Sequence, residues 1–306
     1  MTLRVRANGL DIAYDAYGSG PPLVMLHGAT SSGHEDFAPQ VPLFSKAFRL
    51  LLPDARGHGG TRWDAREGFE YSWLVDDLVA FVDALGLETF HLLGFSMGAM
   101  TALQFAVRVP SRLRTLVVVG ITTQREPRAS VARRLMDPER VDRDEPAWGA
   151  QLERRHGPGQ GEGAWRSLLP AIAADVARQP LLGPADLRLI DAPAMVVCGD
   201  RDQFVPVDHA WGLKRQLPDG RLFVAPDCRH EVLTRKPGLA NEALASFYRS
   251  TATTATARAE AYDPAAPPVS APSPIHAKTD LQTTLDPDAV DATPDATWLR
   301  DTGGGS

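Results

Sequence analysis

Phe90-His91-Leu92-Leu93-Gly94-Phe95-Ser96-Met97-Gly98-Ala99-Met100-Thr101-Ala102-Leu103 is the stretch of sequence that decides the fold. Its opening residues make a short apolar run suited to a buried strand, and a helical pattern follows Ser96 through Val107 until Pro110 closes it. Between strand and helix stands only Gly94-Phe95-Ser96-Met97-Gly98. So tight a reversal strains the backbone at its apex, and glycines are required where side chains would collide with the neighbouring strand or helix. Ser96 is left exposed at the edge of a sheet. A serine hydroxyl is a weak nucleophile: a histidine must take its proton, and a carboxylate must hold that histidine in the right tautomer.

The sequence downstream supplies both. Gly199-Asp200-Arg201-Asp202 follows a strand pattern at Ala194–Cys198, and Arg229-His230-Glu231 follows another at Leu222–Ala225. The order is serine, aspartate, histidine, each after a strand, and sites of open parallel sheets gather at strand C-termini. Asp200 and Asp202 are both candidates for the acid. Cys228 lies two residues from His230, but Ser96 is the better nucleophile, and the two cysteines, Cys198 and Cys228, have no metal-binding spacing and read as free thiols.

Outward from this centre, strand and helix alternate. Leu3–Ala7 and Leu10–Tyr17 flank Asn8-Gly9 as a hairpin; Leu23–Leu26 and Leu50–Leu52 read as buried parallel strands around a helix near Phe37–Lys46. A helical period runs from Trp73 to Leu85, Leu116–Val119 gives a further strand, and His209–Gln216 a further helix. The pattern predicts an α/β fold: a mostly parallel sheet of about eight strands covered on both faces. Residues 1–120 and 191–250 form its core. Residues 121–190 are Arg-rich, interrupted at Gly157-Pro158-Gly159, and read as an inserted helical lid. From 251 to 306 the Thr/Ala/Pro/Asp-rich sequence is too poor in apolar residues to offset the entropy of ordering it, and a disordered tail is expected.

Charge narrows the partners. Of the net charge of −6, residues 251–306 contribute −5 (eight acids, three bases), which leaves −1 for residues 1–250. A nearly neutral body has no basic field for nucleic acid, and the arginines from Arg125 to Arg134 read as a solvated helix face. No stretch approaches the roughly 20 apolar residues of a membrane span, and Met-Thr-Leu-Arg-Val-Arg at the start lacks a signal peptide's apolar segment, so no membrane partner and a cytoplasmic location are expected.

Through His27-Gly28, Asp54-x-Arg56-Gly57-x-Gly59, Gly94–Gly98, Gly199-Asp200-x-Asp202-x-x-x-Pro206 and His230, the sequence resembles the α/β-hydrolase superfamily over roughly residues 1–250. The resemblance places the acid on Asp202, the second aspartate of its motif, and leaves Asp200 as a structural neighbour. It also implies an oxyanion hole from the backbone N–H groups of Ala29 and Met97. His27 and His58 occupy positions that are usually structural, whereas His34, His91, His156, His209 and His276 read as surface or packing residues. Phe95, Trp148, Trp165, Phe204 and Val205 are candidates for an apolar substrate pocket.

The activity implied is hydrolysis of a small carboxylic ester or lactone through an acyl-enzyme, with no metal and no organic cofactor. Dehalogenases and epoxide hydrolases of this outline use an aspartate where Ser96 stands. Perhydrolases, often named haloperoxidases, carbon–carbon bond hydrolases and acyltransferases use the same three residues, and a ligand-binding receptor on this scaffold is the alternative of another class.

Overall fold

The computed structural model describes residues 2–265. Strands β1 (Thr2–Ala7), β2 (Leu10–Tyr17), β3 (Pro22–Leu26), β4 (Arg49–Pro53), β5 (Phe90–Phe95), β6 (Leu113–Val119), β7 (Ala194–Gly199) and β8 (Gly220–Ala225) form one sheet in the order β1-β2-β4-β3-β5-β6-β7-β8. The first hairpin is antiparallel and β2 runs antiparallel to β4; every other pairing is parallel. This is the α/β architecture expected. Strands β5 and β7 are buried along their whole length, as continuous apolar runs between two layers must be.

Helices α1 (Gly33–Phe37), α2 (Val41–Phe44), α3 (Tyr71–Ala84) and α4 (Met97–Arg108) alternate with the first strands. One helix was expected around Phe37–Lys46, but the chain makes two short ones. Pro42 opens α2 at its first turn, where a missing N–H is harmless, so the break falls just before it. Between β6 and β7 come α5 (Arg128–Leu135), α6 (Pro138–Asp144), α7 (Pro146–Gln160), α8 (Trp165–Arg178) and α9 (Pro184–Leu187). The Gly157-Pro158-Gly159 interruption does not end α7, which runs to Gln160. Gly159 explains the composition there: a Cβ on it would lie 2.0 Å from the carbonyl oxygen of Gly59, so only glycine lets the helix approach that loop.

Helix α10 (Val207–Gln216) precedes β8, and α11 (Val232–Arg235), α12 (Pro237–Ser250) and α13 (Ala252–Glu260) follow it. Helix α13 corrects the expectation of disorder from residue 251 onward. It is held by side chains rather than by a broad apolar face: Ala255 is buried, and Arg258 donates to the carbonyls of Leu113 (2.7 Å) and Pro110 (3.0 Å) and pairs with Asp191 at 2.8 Å. Those partners are far away in sequence, so periodicity could not disclose them. The rest of the expected tail, from residue 266, lies outside the described residues.

Two apolar layers sandwich the sheet. One contains Leu78, Phe81, Leu92, Met100 and Leu103 beneath α3 and α4; the other contains Phe37, Leu93, Val117, Val197 and Phe247 beneath α1 and α12. Among the described residues no helix is long and apolar enough to cross a membrane.

Candidate active site

Ser96 sits between β5 and α4 with φ 51° and ψ −109°, a conformation an L residue holds only when its surroundings impose it. The imposition is steric. A Cβ on Gly94 would meet the carbonyl oxygen of Gly98 at 2.2 Å, and one on Gly98 would meet that of Leu26 at 2.2 Å. The Ser96 N–H is fixed by donation to Val119 (2.8 Å) and its carbonyl accepts from Ala99 and Met100.

His230 lies in the turn after β8, and its Nε2 is 2.9 Å from Ser96 Oγ. Its Nδ1 is 2.7 Å from Asp202 Oδ2. With Nδ1–H donating to the carboxylate, Nε2 is left to accept from the serine hydroxyl. The second oxygen of Asp202 accepts from the N–H groups of Phe204 (2.8 Å) and Val205 (3.2 Å), which aims the carboxylate at the ring. Asp200 does something different. Its Oδ1 accepts from the Cys228 N–H at 3.0 Å, bracing the turn that carries His230, and backbone donors there hold its carboxyl below the ordinary range.

Two rings and one bare backbone define where the imidazole lies. Phe204 and Phe95 have centroids 4.4 and 5.1 Å from that of His230, and Gly120, at the end of β6 with φ +64°, leaves space that a side chain would fill. Gly120 escaped the sequence reading, although its position directly after an apolar strand was a usable signal.

The loop His27–Ser31 passes over Ser96. A Cβ on Gly28 would lie 2.9 Å from the Phe95 ring and 3.4 Å from Ser96 Cβ, so this glycine permits the approach. His27 Nε2 accepts from the Ala55 N–H at 2.9 Å, which places its proton on Nδ1, donating to Gly28 at 2.7 Å. Asp36 accepts from the Gly28 N–H (2.8 Å) and the Ser31 hydroxyl (2.7 Å). Among the described residues, neither the Ala29 nor the Met97 N–H donates to a protein acceptor.

Thr30 has φ 66° and is gripped from α7: Arg155 donates to its carbonyl, and so does His156 Nε2 at 3.2 Å, while His156 Nδ1 accepts from the Gly59 N–H at 3.1 Å. His156, read from sequence as a bland residue, is thus a buried strut between two loops, and burial lowers its pKa to about 4. His58 beside it is held well below its ordinary range by burial and by its histidine neighbours.

The cavity over Ser96 measures about 540 Å³ and is lined in part by Phe95, Phe204, Trp148, Gln151 and Arg155. Trp165 and Val205 do not belong to it. Trp165 is 2% exposed, packs with Val141, Leu152 and Leu169, and donates Nε1–H to Glu153 at 3.1 Å. Val205 is fully buried in the core. Trp165 was expected there as an aromatic of the lid and Val205 as a neighbour of Asp202, and neither place in the sequence tells which way the side chain turns. Among the described residues no group of three or more His, Cys, Asp or Glu is placed to hold a metal ion.

Residues 21–157 match a family model described as the alpha/beta hydrolase fold. The chain has the α/β-hydrolase fold. This α/β-hydrolase is 28% identical over 247 residues to a putative carbamate hydrolase, RutD, of Agrobacterium fabrum, covering 74% of this chain and 92% of that one. It is 29% identical over 264 residues to 2-hydroxy-6-oxononadienedioate/2-hydroxy-6-oxononatrienedioate hydrolase 2 of Pseudomonas putida, covering 74% and 88%. Among solved structures it superposes on an N-acyl homoserine lactone degrading enzyme with a TM-score of 0.65 at 26% identity, covering 80% of this chain and all of the other.

Proposed function

We propose that this α/β-hydrolase is a serine hydrolase that cleaves a small carboxylic ester or lactone through an acyl-enzyme. The observation that carries the reading is the hydrogen-bonded chain from Asp202 through His230 to Ser96, at 2.7 and 2.9 Å. As Ser96 Oγ forms its bond to the substrate carbonyl carbon, its proton passes to His230 Nε2, and Asp202 stabilises the imidazolium. The carbonyl electrons move onto oxygen, which the N–H groups of Ala29 and Met97 receive; removing one such donor typically costs about 3–4 kcal/mol of transition-state stabilisation. His230 then gives the proton to the departing alkoxide. Water, deprotonated by the same Nε2, attacks the acyl-enzyme and releases the acid and Ser96.

Residues 121–190 act in this reading as a lid, since Met136, Trp148, Gln151 and Arg155 wall the cavity on that side. The names of the relatives widen the panel worth testing to carbamates and carbon–carbon bonds flanked by carbonyls. Turnover of short alkyl and p-nitrophenyl esters and of lactones is the experiment, with Ser96→Ala beside the parent chain. Loss of at least about 10⁴-fold in kcat is expected, and unchanged turnover in Ser96→Ala overturns the mechanism.

A further inference from the structure

Two cavities of very different size meet at Ser96. The outer one, of about 540 Å³, has His230 among its walls; the inner one, of about 20 Å³, does not, and opens instead past Met97. Ser96 and Ala29 belong to both. Three of the four groups on the carbon of a tetrahedral intermediate then have fixed places: Ser96 Oγ itself, the oxyanion at the Ala29 and Met97 N–H groups, and the alcohol oxygen within reach of His230 Nε2, from which it takes its proton. The alcohol therefore lies in the outer cavity. The acyl substituent is the group that remains, and the inner cavity is the space on the side away from His230.

That inner space is closed by the core. Its walls are mainly apolar and include Ile121, two residues beyond β6, Ala132 of α5, and Ile172 and Val176, one turn apart on α8. Ile121, Ala132 and Ile172 are at most 1% exposed and Val176 is 5% exposed, so none can swing aside into solvent. Arg128 also reaches the wall, but with the Gln179 amide turned to satisfy its neighbours its terminal nitrogens donate to that carbonyl oxygen at 2.9 and 3.2 Å. A volume of about 20 Å³ holds about one water-sized group. A methyl group fills it, and each further methylene would meet side chains already packed.

The outer cavity is of another kind. Phe95, Trp148 and Phe204 give it flat apolar walls. The charged side chains that line it are all engaged: Arg155 pairs with Glu35, Arg235 pairs with Glu231 at 2.9 Å, and Asp36 accepts from the Gly28 N–H and the Ser31 hydroxyl. Nothing there calls for a charged alcohol.

We propose that the substrates are acetate esters of large uncharged alcohols: the inner cavity limits the acyl group to acetyl, with Ile172 and Val176 setting the limit, and the outer cavity receives the alcohol. This rests on Ser96 being the nucleophile of an acyl transfer. It also chooses the ester over the lactone, whose ring would bring at least two carbons to the acyl side.

The test is a set of substrates given to the full chain. The p-nitrophenyl acetate, butyrate and hexanoate vary the acyl group, ethyl and 2-phenylethyl acetate vary the alcohol, and δ-valerolactone joins the two. In the parent, kcat/KM should fall at least about 30-fold from acetate to butyrate and rise about fivefold from ethyl to 2-phenylethyl acetate. Val176→Ala and Ile172→Ala, which lengthen the inner cavity, should raise the butyrate-to-acetate ratio by about tenfold or more. Trp148→Ala should keep that ratio at its parent value and reduce the preference for the 2-phenylethyl ester. A parent that takes butyrate as readily as acetate, or δ-valerolactone as readily as 2-phenylethyl acetate, overturns the proposal, and so do folded Val176→Ala and Ile172→Ala chains with an unchanged ratio. Should neither variant fold, the substrate series of the parent decides. Ser96 that takes a fluorophosphonate label while acyl length makes no difference refutes the acyl limit alone. Failure of Ser96 to label in the parent refutes the nucleophile as well.

Discussion

The ring of His230 lies against the bare Cα of Gly120: a Cβ there would stand 2.9 Å from Cε1 and 3.2 Å from Nδ1 of the imidazole. Gly120 also has φ +64°, so two independent conditions reserve the position for glycine. Gly120→Ala is expected to push the ring off the Ser96–Asp202 line and lower kcat by about 10²-fold, with about 1 kcal/mol of added backbone strain. Steady-state kinetics and thermal unfolding check the two effects separately, and an unchanged kcat would show that the ring is not held by this contact.

The two aspartates of the 200–202 segment should separate cleanly. Asp202→Asn leaves an amide facing His230 Nδ1 and favours the wrong tautomer, for which a fall of about 10³–10⁴-fold in kcat is expected. Asp200→Asn keeps an acceptor for the Cys228 N–H and should retain most activity. Rates of both variants on one ester decide the matter; a larger loss at Asp200 would reverse the assignment.

Acid should weaken the fold through buried histidines. The folded pKa of His156 is about 4, below its ordinary 6.5, so the unfolded chain takes up a proton first as pH falls. Its contribution is complete above pH 6.5 and is lost as pH falls from there toward 4, on the order of 3 kcal/mol in all. His91, lowered to about 3 by burial, acts in the same direction. Urea midpoints of the parent and His156→Gln between pH 4 and 8 should converge at the acid end, and parallel curves would refute the assignment.

Arg56 and Asp77 form a bidentate pair at 2.6 Å, with both side chains buried and Trp63 and Trp73 over the guanidinium. Removing one partner strands a charge. Arg56→Met alone should therefore cost about 3–5 kcal/mol, while Arg56→Met combined with Asp77→Leu should cost clearly less. Chemical denaturation of the two single variants and the double variant measures the difference.

Truncation after Ser250 removes α13 and with it the three contacts of Arg258. A loss of roughly 1–3 kcal/mol is expected with kcat unchanged, because α13 touches β6 and Asp191 rather than the site.

The sheet was legible because its information is local. Apolar runs such as Leu116–Val119 can be buried on both faces only as central strands, and the glycines around Ser96 mark a turn no other residue could make. Serine, aspartate and histidine could be ordered along the chain, and the geometry joined the three without exception.

Side-chain direction was not legible, since it depends on partners distant in sequence. Trp165 turned into a core of α6, α7 and α8 residues, His156 became a strut between loops 97 and 126 residues away, and Arg258 anchored a helix that composition had assigned to disorder. The sequence by itself determined the strand order of chemistry, the elbow at Ser96 and the class of reaction those residues can perform. Only the tertiary structure decided which way Trp165, Val205 and His156 turn, because that depends on packing between elements that periodicity describes one at a time.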